Sequence, residues 1–477
     1  MKKVIALLLA LVMVVGMAAC GGQSEGDTIP QQLAANDSGS AGGDAAAPEK
    51  KDDGSADTGE DKEPVTLSFW YFAETGVDPI WEAFAEQVHE TYPWITLELE
   101  VLPGDTGPEK FTVACATGTT PDIYCDGYSR IAPAITAGLT VDLTDVVEAN
   151  QDLFFGEQTE GVVDGRNYYV ATHSGAPYCL LINMDLAEDL GVADMIPEDR
   201  ETWTYEQFLD TCRAAKAADP SVYPVALYGG SRSGDAWDYS WFLGNGAEIL
   251  NEDHTATVIN EGANKEKIVE VLKLYQTLID EGLVPDGVAS MIDEDVDSLY
   301  FSGRLLFEPT AYNYLSWTNT LQEEGTAVQF RQDAVCLPTP DGREPPMTTS
   351  WGSYGYCVFG NNGHEEDAKL VIDLLLKDTA TRTKLIQVSG KLPIMSDVEV
   401  SYETPEITAI MERAVAYGAQ YANSTFGILE PFWSDFRETF YVQKQDLFVG
   451  NITPEQFVEN WAAAGDAVIS DYLAANG

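Results

Sequence analysis

Few of the residues able to make or break bonds are spaced for it. His89, His173, His254 and His364 stand far apart in the chain, and neither a G-x-S-x-G elbow nor an H-E-x-x-H pair is present. No nucleophile relay or two-histidine zinc site is therefore written locally. The stretch IDEDVDS puts Asp293, Asp295 and Asp297 at alternate positions, as the start of a calcium loop would. Ser298 stands where that loop needs glycine and Arg304 where it needs a bidentate glutamate, so a solvated acidic loop is expected. Cys115, Cys125, Cys179, Cys212, Cys336 and Cys357 show no C-x-x-C spacing and sit in apolar contexts such as VACATG and YCLLIN. They read as small buried hydrophobes, their pairing open, and no metal or cofactor is expected. Carboxylates are abundant, 78 in all, and two facing each other across a cleft at roughly 5 or 6.5 to 9.5 Å would cleave a glycosidic bond.

A seventh cysteine has a different setting. Lys2 and Lys3 precede an apolar run from Val4 to Ala19, shorter than the roughly 20 residues a spanning helix needs, so residues 1–19 read as a signal peptide. Ala18 and Ala19 directly before Cys20 resemble the lipobox of bacterial lipoproteins, although Met17 replaces the usual leucine. That resemblance implies a diacylglyceryl thioether on Cys20 and anchoring at the outer face of the membrane, with two acyl chains meeting the need for stable attachment. Residues 20–63 then form the lipidated cysteine and an acidic linker rich in Gly, Ser, Ala and Asp, which has too little to bury to offset the entropy of ordering. As a flexible coil the linker spans roughly 35–40 Å, enough to let a cargo domain float near the membrane.

From Pro64 onward the chain is long enough for two or three domains. The formal charge is −52, and setting aside the linker and the two leading lysines still leaves about −46. Such a surface repels polyphosphates, which argues against nucleic acid and anionic ligands and favours neutral or cationic ones.

The elements that must position any site alternate. PVTLSFWYF is strand-like, Ile80, Trp81, Phe84 and Val88 mark a helix face, and WITLELEVL alternates as a second strand. A strand–helix–strand opening predicts a parallel pair with a right-handed crossover. TPDIYCDGYSR, RNYYVAT and YCLLIN supply further strands. TYEQ at Thr204 and TPEQ at Thr453 fit capping boxes, and Ile268, Leu272, Tyr275 and Ile279 line a helix closed by Gly282. The fold class is α/β, in which ligands sit beyond the carboxyl ends of the strands.

The order of segments resembles the family 1 extracellular solute-binding proteins, sugar-binding lipoproteins of ABC importers that include the maltose-binding type. ATGTTPDIYCDGYSRIAPAITAGLTVDLTDVV is similar to that family's A-x-G-x-x-PD segment leading to G-L-x-x-x-L. DGRNYYVAT, LLINMDLAEDLGV, ETWTYEQFLDTCRAAK and YFSGRLLFEPTAYN follow in the family's order, with Leu306 and Phe307 replacing a small residue and Met. The resemblance implies a two-lobe periplasmic-binding-protein-like fold with a central ligand cleft and three crossings, placed near Ala171, Phe330 and Leu376. Residues 64–171 plus 331–376 would form the N-terminal lobe and 172–330 plus 377–477 the C-terminal lobe. It also implies a carbohydrate ligand, an ABC permease partner, a monomer and no enzymatic activity. The rival readings are a lipid-anchored glycoside hydrolase, or the same fold binding a peptide or polyamine.

A sugar needs planar polar groups for its hydroxyls and aromatic rings for its C–H faces. WYFAETG offers Trp70, Tyr71 and Glu74 at a strand end. The resemblance adds Asp126, Ser129 and Arg130 from PDIYCDGYSR, and Trp237, Asp238, Trp241 and Asn245 from SGDAWDYSWFLGNG. It also brings Tyr312 and Asn313 from EPTAYNYLSW, Trp351 from TTSWGSYGY, and Trp433 with Arg437 from LEPFWSDFRETF. Trp81, Trp94 and Trp203 fall in periodic or capped segments and are expected in the core.

Overall fold

The computed structural model describes residues 62–476, apart from 75, 104–105, 232–234, 344–347, 350–351, 361–362, 403, 424–429 and 431. The expected signal peptide, Cys20, most of the linker and Trp351 lie outside the described residues. In chain order the principal elements begin with β1 (Val65–Phe72), α1 (Asp78–Thr91), β2 (Ile95–Leu102), α2 (Gly107–Thr117), β3 (Ile123–Gly127), α3 (Tyr128–Thr136) and β4 (Val170–Ser174). Next come β5 (Tyr178–Asn183), α4 (Tyr205–Ala218), β6 (Tyr223–Val225), α5 (Asp235–Gly244), α6 (Gly262–Asp280), α7 (Asp293–Phe301), β7 (Leu305–Ala311), α8 (Tyr314–Glu323) and β8 (Gln332–Val335). The chain ends with β9 (Ser353–Val358), α9 (Glu365–Lys377), α10 (Thr379–Ser389), β10 (Leu392–Pro393), α11 (Pro405–Tyr421), α12 (Trp433–Phe448) and α13 (Pro454–Asn476).

Two sheets organise these elements. The first has the order β10-β4-β9-β3-β1-β2 and the second β8-β5-β7-β6. β1 runs parallel to both β2 and β3, with Val65 opposite Ile95, as the opening pattern predicts. Alternation along β1 sends Leu67, Phe69 and Tyr71 into one core and Trp70 into another on the opposite face. α1 buries Trp81, Phe84 and Val88 against the first of these. Each large apolar side chain so buried contributes roughly 1.5–3 kcal/mol relative to exposure. Both expected capping boxes form: Thr204 and Gln207 bond reciprocally at α4, and Thr453 and Gln456 do so before α13. Trp81, Trp94 and Trp203 are buried, and the six described cysteines are free thiols.

The acidic stretch at Asp293, expected as a solvated loop, is the first turn of α7. Carboxylates there favour the positive end of the helix dipole. Among the described residues no helix is long and apolar enough to cross a membrane.

Among the described residues the chain crosses between the two lobes three times. The first passage lies between Ser174 and Tyr178, a few residues beyond the expected Ala171. The second is later than Phe330, because β8 pairs antiparallel with β5 and Thr349 still bonds the Ala236 carbonyl in the second lobe, at 3.0 Å. The third is later than Leu376, which sits with Leu385, Ile386 and Val398 in a core of the first sheet, whereas Tyr402 packs into the second lobe. Among the described residues, 331–343 and 348–349 therefore go with the second lobe and 377–398 with the first. The crossings lie side by side: Ser174 pairs with both Ser353 and Leu392, and the Gly175 N–H donates to the Gly352 carbonyl at 2.9 Å.

Candidate functional site

A cavity of about 410 Å³ opens between the two sheets. Its first-lobe wall comes from the carboxyl end of β1 (Phe72, Ala73, Glu74), from Tyr354 at the start of β9, from Val388 and Ser389 in the last turn of α10, and from Lys391 just after it. Its second-lobe wall comes from Tyr178 opening β5, Tyr228 after β6, Asp293 and Asp297 on α7, Thr310 ending β7, and Asn313, Tyr314 and Trp317 at the start of α8. A smaller recess of about 20 Å³ shares Phe72, Glu74, Tyr354 and Lys391 with it and reaches Cys125, Asp126 and His173.

The first-lobe wall is braced by charge. Lys391 forms an ion pair with Glu74, and its ammonium stands 3.5 Å from the centroid of the Tyr354 ring. Tyr354 in turn stacks on His173, centroids 5.6 Å apart and planes within 6°. Burial, with the nearby Lys391 charge, pushes His173 well below the usual imidazole range, so this ring is neutral. Arg130 lies 4.0 Å over the Phe72 ring and is held there by Asp126, Nη1 to Oδ1 at 2.5 Å. Asp126 also accepts from the Tyr124 hydroxyl at 2.5 Å and the Gly127 amide at 2.6 Å. It positions Arg130, and Arg130 fixes Phe72.

On the facing wall Tyr314 and Trp317 meet edge to face, centroids 5.0 Å apart. Lys444 lies 5.0 Å from the Tyr228 ring and pairs with the buried Asp238 at 2.5 Å, which fixes Tyr228 from behind. Asp297 is deeply buried at the cavity wall, and the wholly buried Glu308 of β7 faces it. Burial above all, then the charges of Asp293 and Glu294, pushes Asp297 up to about 7; burial and Asp297 raise Glu308 well above the carboxylate range. Rings on both walls with carboxylates and an amide among them can stack on a flat apolar face and accept hydrogen bonds at its rim.

The sequence candidates divide. Glu74 and Asn313 line the cavity, Asp126 reaches its recess, and Arg130 acts on Phe72. Trp70 is corrected to the core: two residues short of the strand end, it packs near Phe111 and Tyr124 beneath Lys110. Trp237 and Trp241 are likewise core, because α5 is buried along its whole length and the two indoles pack edge to face, centroids 5.5 Å apart. Trp433 stacks on Phe436 at 5.4 Å in that same core, Tyr312 is buried with it, and Arg437 pairs with Asp235 at 2.8 Å.

Sequence reasoning missed Phe72, Tyr178, Tyr228, Tyr314, Trp317, Tyr354 and Lys391. Phe72, Trp317 and Tyr354 stand within two to four residues of a chosen candidate, so those stretches reach the cavity through other side chains, whereas Tyr178, Tyr228 and Lys391 come from stretches not chosen. Strand alternation carries Trp70 inward and leaves Phe72 at the mouth, and helical spacing from Asn313 would have selected Trp317.

Comparison with known proteins agrees with this geometry. Residues 73–382 match the model of the bacterial extracellular solute-binding protein family. A Brucella abortus protein named only as a binding protein is 27% identical over 426 residues, covering 87% of this chain and 94% of its own. Among solved structures, a solute-binding protein of an ABC transporter from Thermotoga lettingae, bound with α-D-tagatose, superposes with a TM-score of 0.69 at 16% identity, over 85% of this chain and 99% of that one. A Listeria monocytogenes ABC substrate-binding protein in complex with cycloalternan gives 0.65 at 18% identity, over 86% and 100%. The chain has the two-lobe fold of those proteins, and it belongs to the bacterial extracellular solute-binding protein family.

Proposed function

We propose that the protein captures a sugar or oligosaccharide between its lobes and delivers it to the permease of an ABC importer, without chemical change to the ligand. The observation that carries this reading is the pairing of aromatic walls across the cleft: Phe72 and Tyr354 on one lobe, Tyr314 and Trp317 on the other. Rings on both sides give a ligand contacts that exist together only when the lobes approach, so binding biases the protein toward a closed form. The adjacent crossings beside Ser174 supply a hinge. A micromolar affinity corresponds to about −8 kcal/mol, within reach of a few stacked rings and charge-assisted hydrogen bonds. The sugars carried by the Thermotoga and Listeria structures support the ligand class.

The binding residues proposed are Phe72, Glu74, Asn313, Tyr314, Trp317 and Tyr354, with Asp126 and Arg130 as supports; Trp351 remains a candidate on the resemblance. The protein acts as a monomer, tethered by lipid on Cys20 to the outer face of the membrane.

The test is a panel of neutral and amine-bearing oligosaccharides followed by both tryptophan emission and reducing-end release. A saturable emission change without new reducing ends supports transport. Release of reducing ends assigns the cleft carboxylates to hydrolysis instead.

A further inference from the structure

The deeply buried carboxyl groups of the described residues fall into two kinds. Asp122 accepts from Ser68, Asp126 from Arg130, Asp235 from Arg437 and Asp238 from Lys444. Asp297 and Glu308 have no such donor. Glu308 is 0% exposed and neither carboxyl oxygen accepts a hydrogen bond from a described donor; the group it faces is the carboxyl of Asp297. Asp297, 8% exposed, lines the cavity, and no described lysine or arginine pairs with it. The cations near the cleft are already paired, Lys391 with Glu74, Arg130 with Asp126 and, behind Tyr228, Lys444 with Asp238.

Two carboxyl groups in contact without a cation are a standing penalty, partly relieved by sharing a proton. A partner that brings positive charge and several donors would remove it. An ammonium has three donors, and the walls around it here, Tyr314, Trp317 and Tyr228, are the faces that attract cations. Hydroxyls alone would bring donors but no charge.

We propose that the natural ligand is an amine-bearing saccharide, whose protonated amino group seats on Asp297, backed by Glu308, while its ring stacks on Tyr314 or Trp317. This rests on the cleft being a saccharide site and names the class within it. The groups facing the acid pair are Asp293, Glu294 and Tyr300 on α7, Tyr314 on α8 and Cys179 on β5. None carries positive charge at neutral pH. Because the pair holds a proton near neutrality, docking an ammonium expels it, so affinity rises with pH until the amine itself loses its charge.

The experiment titrates the mature protein with chitotriose bearing free amines and with its fully N-acetylated counterpart, by calorimetry in buffers of different ionisation enthalpy. At about pH 6, where the amines arrive protonated, the amine form should bind on the order of 10-fold more tightly and release protons, and Asp297→Asn should abolish that preference while still binding the acetylated form. Glu308→Gln should reduce the proton release without lowering the acetylated affinity. If the acetylated form binds and the amine form binds no better, the proposal is overturned and the saccharide site stands. If neither trisaccharide nor any member of the neutral panel binds, the saccharide reading itself fails and takes the proposal with it.

Discussion

Gly390, just after α10 in the first lobe, lies so close to Asn313 of the second that a β-carbon on it would stand 2.8 Å from the Asn313 carbonyl oxygen. Its φ of +63° is also one that other residues adopt only under strain. The two lobes meet here backbone to backbone, at the edge of the cavity that Asn313, Ser389 and Lys391 line.

Gly390→Ala should therefore wedge the lobes apart. Strain of about 1–2 kcal/mol in the close contact would weaken ligand binding roughly 5- to 30-fold. Small-angle scattering with saturating ligand should show a larger radius of gyration than the parent protein; an unchanged affinity and radius would remove Gly390 from the closing surface.

Tyr354→Ala and Trp317→Ala delete one ring from each wall. Each should lose about 1–2 kcal/mol of binding, near 10-fold in affinity. Both side chains are only half-buried, so the thermal midpoint of the empty protein should fall less than for a fully buried core tryptophan. Titration and calorimetric melting on the same samples separate the two effects.

Trp241→Ala gives the opposite pattern. Trp241 packs against Tyr205, Phe208, Trp237 and Tyr275 in the core beneath the second sheet. Its removal should cost about 3–5 kcal/mol of stability, read as a fall in the denaturant midpoint. Loss of sugar affinity with stability intact would return Trp241 to the ligand.

The acid pair makes stability depend on pH. Asp297, pushed up to about 7 chiefly by burial, keeps a proton in the folded chain where the unfolded chain has lost it. A carboxyl raised in this way stabilises fully below about pH 4, and that contribution drains away as pH rises through 7. His173, held below its usual range, acts in the other direction and only below about pH 6.5. Melting Asp297→Asn beside the parent from pH 6.5 to 8.5 should show the variant gaining on the order of 2 °C at the alkaline end. A constant difference across that range would mean that Asp297 does not titrate there.

Much of the first lobe was legible because its signals are local. β1, α1 and β2 follow from periods of 2 and 3.6 in their apolar residues, and the caps at Thr204 and Thr453 are written within four residues each. The acidic start of α7 was misread, since carboxylates at a helix N-terminus and in a loop look alike until the following turn finds a core. The crossings near Phe330 and Leu376 were misplaced because β8 and α10 carry no mark of which sheet or core will accept them.

By itself, the amino-acid sequence determined the α/β alternation, the acidic field, the scarcity of local catalytic motifs and some of the stretches that reach the cleft, those at Glu74 and Asn313. Those properties depend on residue type and near-neighbour spacing, which a linear chain contains. Tertiary structure decided which aromatic of each stretch faces the cleft, Phe72 over Trp70 and Trp317 over Tyr312, and it alone brought Asp297 against Glu308 and Lys391 onto Glu74. These pairings join residues 11 and 317 positions apart, and only packing of one element on another sets such distances.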